Sequence, residues 1–315
     1  MDYWQKRNLL TQQALSNKSV KQTERQLAKY YSQAMKKVID DFESTYEKLL
    51  NTIEDGRKPA PADLYKLDKY WKMQGQLRHE LELLGNRQMT ALSNNFTSLY
   101  LQVYEGLEVE GSSMFVEIDR EAAEQLINQV WCADGKNWSS RIWTNTDKLQ
   151  QTLNDQLLDC VINGKKTTEL KKLLQERFEV SYSAADSLVR TEIAHIQTQA
   201  ARDRYINSGV KEVEVWADKD ERRCEVCGKL HQKRFPIGSK MPVPAHPRCR
   251  CTIIPVIEKN TQLQKNTGAL DMVVDEFVPC LKDAKTGEIF PTVVEHIDTK
   301  ALKGYNKTNG WHVNW

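Results

Sequence analysis

Residues 210–218 read VKEVEVWAD, and across them the periodicity of the chain changes. Val213 and Val215 alternate with Glu212, Glu214 and Trp216, the period of two that marks a strand with one buried face. Everything before Gly209 is spaced for helices. A second apolar run, RCTIIPVI at 250–257, predicts a partner strand, and Pro255 confines it to an edge or ends it early. Between the two runs lies CEVCGKLHQKRFPIGSKMPVPAHPRCRC, 224–251, which holds four of the seven cysteines and two of the six histidines. The order is therefore helices first, then a small β element that encloses a Cys/His loop.

Upstream, no Gly or Pro occurs from Lys18 to about Glu54, and Leu27, Tyr31, Ala34, Val38, Phe42 and Leu49 recur at helical spacings. EDGRKPAPAD, 54–63, breaks this helix, because Gly56, Pro59 and Pro61 cannot continue the ladder. A second periodic run carries Leu64, Leu67, Trp71, Leu77, Leu81 and Leu84, then resumes after Gly85 with Leu92, Phe96, Leu99 and Val103, as an antiparallel partner. These stripes predict helix packing, and His79, between Arg78 and Glu80, predicts a solvated side chain. GLEVEGSSMFVEI, 106–118, reads as a joint, and helices are expected over 119–132 and 145–162 with ADGKNWSSRIW, 133–143, between them. Asn163-Gly164 stops the latter. Thr167 or Thr168 caps another helix, and Ser181 or Ser183 caps one more that ends at Gly209.

The expected class is α+β, mainly α: an extended helical region over 1–164, a small helix-plus-β domain with a zinc-knuckle-like loop over 165–258, and a tail over 259–315. In that tail GEIFPTVVEHI, 287–297, reads as one strand. With 40% apolar and 28% charged residues among 315, long helices with a single buried stripe fit better than one compact globule. No run approaches the roughly 20 apolar residues of a membrane span, and MDYWQKRNLL places charges where a signal peptide needs apolar residues. The expectation is a chain kept in a reducing cytoplasm, with no membrane contact. An odd number of cysteines, with Cys132, Cys160 and Cys280 isolated, argues against a disulfide framework.

The cluster reads instead as a metal site. Cys224-x-x-Cys227 lets two thiolates face one tetrahedral ion, and His246-x-x-Cys249 repeats the gap, so the halves form a Cys3His set suited to a structural Zn2+. Cys249 and Cys251 are expected to face opposite ways, so that only one of them binds; Cys249 is preferred for sharing a knuckle with His246, and Cys251 stays as the alternative. His231 is a weaker candidate, only four residues beyond Cys227. The net charge is +2 overall, but residues 219–251 carry nine Lys/Arg against three carboxylates. Arg222, Arg223, Lys233, Arg234, Arg248 and Arg250 are thus candidate contacts for nucleic acid, without sequence preference.

The segments RTEIAHIQTQAARDRY (190–205), VWADKDERRCEVCGKLHQKRF (215–235) and PVPAHPRCRCTIIP (242–255) resemble the phage head-morphogenesis family of minor capsid proteins, the Mu F-like minor head proteins. The matching features are Arg190-Thr191-Glu192 in a helix, Trp216 and Asp220 ahead of Cys-x-x-Cys, and the terminal Pro-x-His-Pro-x-Cys-Arg-Cys. The resemblance implies a structural assembly factor inside the procapsid near the portal, in the virion once assembled. Its partners would be the portal and the capsid or scaffold proteins, with packaged double-stranded DNA within reach, and it implies no catalytic residues. A zinc-dependent nuclease or toxin-like protein, with His246 as general base, and a zinc-ribbon nucleic-acid binder are the alternatives. For Arg190 the expectation is a fork onto a carboxylate or carbonyls near the loop.

Overall fold

The computed structural model describes residues 1–50, 60, 64–65, 67–109, 117–132, 134–218, 220–257, 280–282 and 289–291. Among the described residues, five helices come first: α1 (Tyr3–Leu50), α2 (Asp68–Gly106), α3 (Arg120–Ile127), α4 (Trp138–Ile162) and α5 (Thr167–Asn207). They are followed by β1 (Glu212–Trp216), the short α6 (Glu225–Leu230), β2 (Arg234–Pro236) and β3 (Thr252–Val256). Strands β4 (Cys280–Lys282) and β5 (Ile289–Pro291) pair with each other; the rest of the expected tail strand lies outside the described residues.

Helix α1 begins fifteen residues before Lys18, the start expected from its apolar stripe. The reason is a reciprocal cap at the second residue. Asp2 Oδ1 accepts the Gln5 N–H at 2.8 Å, while Gln5 Oε1 accepts the Asp2 N–H at 3.1 Å. Helix α2 runs unbroken through Gly85, where a pause was expected, because this glycine makes room for the Trp143 ring of α4. A Cβ at 85 would sit 2.6 Å from Trp143 Cζ3. Trp71, placed in the α2 stripe by its spacing, is instead 55% exposed and stacks its edge on Tyr70.

Helix α3 is shorter than 119–132, starting from the Asp119 carboxylate that accepts the Ala122 N–H, and α4 starts earlier than Asn145. Asn137 supplies that earlier cap, and Trp138 then turns inward onto Phe96 with ring centroids 5.3 Å apart. No break occurs at Ser181 or Ser183, so α5 is one helix of 41 residues, and its first-turn threonines make no side-chain cap. Ser181 serves packing instead: its Oγ lies 3.2 Å from the Tyr31 hydroxyl, and Asn145 Nδ2 donates to it at 3.1 Å, joining α1, α4 and α5. Gly209, at φ 75°, ends α5 as expected.

Helix α5 packs against α1, α2 and α4, and β3 packs against both α1 and α5. The sheet has the order β2-β1-β3, all antiparallel, with Val213 opposite Phe235 on one side and Pro255 on the other. Pro255 thus stands in an edge strand, where its missing N–H costs no ladder bond. One buried apolar cluster extends from Leu27 on α1 through α2, α4 and α5 to Ile253 on β3. Polar bonds cross the same boundary: buried Gln12 donates to the Ile253 carbonyl at 3.0 Å and to Tyr205, and Gln5 donates to the Pro255 carbonyl at 2.9 Å. Among the described residues, no helix is long and apolar enough to cross a membrane.

Candidate metal centre

The centre is assembled at the open end of the small sheet. Cys224 stands just before α6 with extended backbone, and its Sγ accepts the Cys227 N–H at 3.4 Å, the bond expected of a Cys-x-x-Cys turn. Cys227, on the first turn of α6, is buried and lies at the middle of the cluster. His246 Nε2 is 3.0 Å from its sulfur and 3.2 Å from that of Cys224, and Cys249 Sγ is 3.8 Å from it. His246 Nδ1 sits 2.8 Å from the Pro247 carbonyl, which selects Nε2 as the face turned to the sulfurs.

Cys249 and Cys251 do not point apart. Both sulfurs lie with that of Cys227 inside one group whose donor atoms are within 4.8 Å of one another, and Cys224, Cys227 and His246 form a second such group. The expectation failed because residues two apart share a face in an extended segment, as Val213 and Val215 do on β1, and Cys249 and Cys251 do the same just ahead of Thr252. Arg248, just before them, has φ 61°. His231 belongs to neither group; its Nδ1 accepts the Ala217 N–H at 3.2 Å and its ring meets Trp216 edge-on at 4.6 Å.

The donor set fits a tetrahedral cation. With metal–sulfur bonds of about 2.3 Å, the edge of a sulfur tetrahedron is about 3.8 Å, and Cys227 and Cys249 have that separation. The protonation of the bare cluster points the same way. Burial pushes the Cys227 thiol up to about 12, and the Cys251 thiol, donating to Cys249, is held far above its ordinary value, while Cys249 falls to about 5. Several negative sulfurs cannot share this volume unless a positive ion joins them.

Helix α5 fixes the loop from outside, and the three residues of its Arg-Thr-Glu segment reach three different places. Arg190 pairs with Glu24 of α1 and, at 3.1 Å, with Asp186 one turn back. The Thr191 hydroxyl accepts the Arg248 N–H at 3.0 Å, holding the strained residue between His246 and Cys249. Glu192 is buried and accepts the Trp131 indole N–H at 3.0 Å. Asp186 was not singled out from sequence, yet it is the common acceptor of Arg190 and of Arg248, whose Nη2 lies 2.9 Å away. The only sequence signal for it was its place one helical turn before Arg190. Asp220, ahead of the first cysteine, receives Arg250 through two bonds of 2.6 and 2.7 Å.

Of the six basic residues proposed for nucleic acid, Arg248 and Arg250 are therefore held by carboxylates of this chain. Arg222, Arg223, Lys233 and Arg234 are exposed, with Arg222 3.8 Å from Asp220 and Arg234 3.9 Å from Glu214. Trp131 and His195, also missed from sequence, stack with ring centroids 4.2 Å apart beside this loop.

No solved structure gave a significant match to the chain. A curated protein of Enterococcus faecalis (strain ATCC 700802 / V583), NAD(+)--arginine ADP-ribosyltransferase EFV, is 25% identical over 159 residues, covering 44% of this chain and 32% of that protein. Residues 151–254 match the family described as Phage Mu protein F like protein, a stretch that takes in α5, β1, β2, the start of β3 and every donor of the Cys/His centre; the match supports a phage head-morphogenesis family.

Proposed function

We propose that the chain is a structural assembly protein of a phage head, acting inside the procapsid near the portal, and that its Cys/His centre holds one structural Zn2+. The observation that supports this most is the closure of the centre: five soft donors converge around buried Cys227 within the family-matched stretch, which leaves no coordination position for water. Cys224, Cys227, His246 and Cys249 are the proposed ligands. Cys251 then donates its S–H to the Cys249 sulfur from behind. Bound zinc supplies a cross-link between α6 and the 246–251 knuckle and no catalysis. The activity named for the Enterococcus faecalis protein is not carried over, because the match spans only 32% of that protein.

Protein purified under reducing conditions without chelator should contain one zinc per chain by elemental analysis. Cys224→Ser should lose that metal and the amide-exchange protection of residues 211–257 while α1 and α2 keep theirs. Metal-free protein with full protection would overturn the zinc reading. The assembly reading predicts the chain in purified procapsids, and particles that form normally without it would count against it. For a zinc nuclease, plasmid nicking would disappear in a folded, metal-loaded His246→Ala variant; no nicking is expected from the wild type.

A further inference from the structure

Beside the metal centre runs an open groove of about 810 Å³. One wall is α6, through Val226 and Leu230, and the other is the segment from Met241 to Ala245. The stacked pair of Trp131 and His195 forms the floor. Burial lowers the His195 pKa to about 4, so this floor is uncharged at neutral pH. Both walls are anchored at the centre, since Val226 lies between Cys224 and Cys227 and Ala245 precedes His246.

The rim is cationic. Arg202, Lys229 and Lys240 line it, and no carboxylate does among the described residues. Arg202 donates to the neutral Ile237 and Gly238 carbonyls, which position its guanidinium without cancelling its charge. Lys229 shares its charge with Glu225 on the same turn at 2.5 Å, in an exposed and hence weak pair. Lys240 is exposed and has no ion-pair partner among the described residues. Val226, 53% exposed, adds aliphatic surface at the lip.

We infer that this groove is a docking site for a peptide segment of a partner protein, one that combines acidic residues with an apolar anchor. Aliphatic and proline walls suit a hydrophobic side chain, and the rim supplies the complementary charge that orients the segment and speeds its capture. A nucleic acid fits less well, since it needs a row of cations at phosphate spacing where this groove has aliphatic walls. The inference does not depend on the head-assembly reading, because binding is measured on the purified chain and particle formation is scored separately.

The test uses the full chain, metal-loaded, and fluorescence anisotropy of a labelled synthetic peptide in which Asp and Glu alternate with Leu and Phe. The peptide should bind, and a version with Lys in place of each acid should not. Lys240→Glu and Val226→Asp should each weaken binding about tenfold, with far-UV circular dichroism and metal content unchanged. Lys240→Glu should also regain affinity for the lysine peptide, a rescue that a merely structural lysine would not give. The proposal is overturned if the acidic peptide does not bind, if both variants bind it as the wild type does, or if duplex DNA displaces it from the groove.

Discussion

Glu192 and His195 stand one turn apart on α5 beside Trp131, and burial shifts both toward their neutral forms from opposite directions. The Glu192 carboxyl is pushed up to about 7 from 4.5 by desolvation, against the indole bond that favours the anion. His195 moves down to about 4 from 6.5. As pH rises from 4.5 to about 7, the unfolded state releases the Glu192 proton before the folded state does, so this group lowers stability over that window. His195 acts in the reverse sense, raising stability between about 4 and 6.5 as the unfolded state loses a proton the folded state never bound. The two slopes offset each other in the wild type. Glu192→Gln keeps an acceptor for Trp131 and removes one slope, so its stability relative to wild type should climb by up to about 3 kcal/mol between about pH 4.5 and 7.5. Urea unfolding at both pH values measures this, and a difference that stays constant would show that Glu192 is ionised in the fold. Burial holds the Asp186 carboxyl above its ordinary value even though it is bonded to two arginines; Asp186→Asn leaves both guanidiniums without their carboxylate and is expected to destabilise by roughly 1–3 kcal/mol in the same assay.

Among elements, two of the three glycines of α2 have opposite roles. Gly85 lies against the Trp143 ring, whereas a Cβ at Gly75 would meet nothing within 4 Å. Gly75→Ala should therefore stabilise by about 0.5–1 kcal/mol through helix propensity alone. Gly85→Ala gains the same propensity but forces the indole aside, and should destabilise by roughly 1–3 kcal/mol net. Thermal melts of the two variants should shift in opposite directions. The same pair shows what sequence could and could not tell. Apolar spacing revealed that α1 and α2 exist and which stripes they bury, and the change to period two located β1 and the edge role of β3. A glycine that breaks a helix and one that admits a neighbouring tryptophan look alike without the partner. Ser181 was misplaced for the same reason: serine caps helices in isolation, and its three-helix bond with Tyr31 and Asn145 depends on residues 150 and 36 positions away. At the metal centre, knuckle spacing picked out Cys224, Cys227, His246 and Cys249, and the spacing of two between Cys249 and Cys251 already allowed both sulfurs to face the cluster, which the expectation of opposite faces overlooked.

For the whole molecule, the charge that remains outside internal pairs decides how it meets nucleic acid. Duplex DNA should bind weakly and without sequence preference, with log affinity falling linearly in log salt. Replacing Arg223 and Lys233 together by Gln should flatten that slope by roughly one unit for each phosphate left unneutralised. Arg248→Gln should leave the slope nearly unchanged and loosen the loop instead, because its guanidinium is already held by Asp186. Filter binding across a salt series separates the two, and an equal effect on the slope would show that Arg248 is free to leave its carboxylate.

The bonds from Gln5 and Gln12 to the carbonyls of β3 also set a timetable. Their partners lie 250 and 241 positions further along the chain. At ribosomal rates of about 5–20 residues per second, the leading turns of α1 wait on the order of tens of seconds for the strand that covers them. During that interval the helical hairpin of α1 and α2 can form through nearer contacts while the Asn8 and Gln12 end stays open to solvent. Closure arrives last, when the Cys/His segment and β3 emerge together, so the nascent chain completes its oldest helix only as its metal centre takes shape.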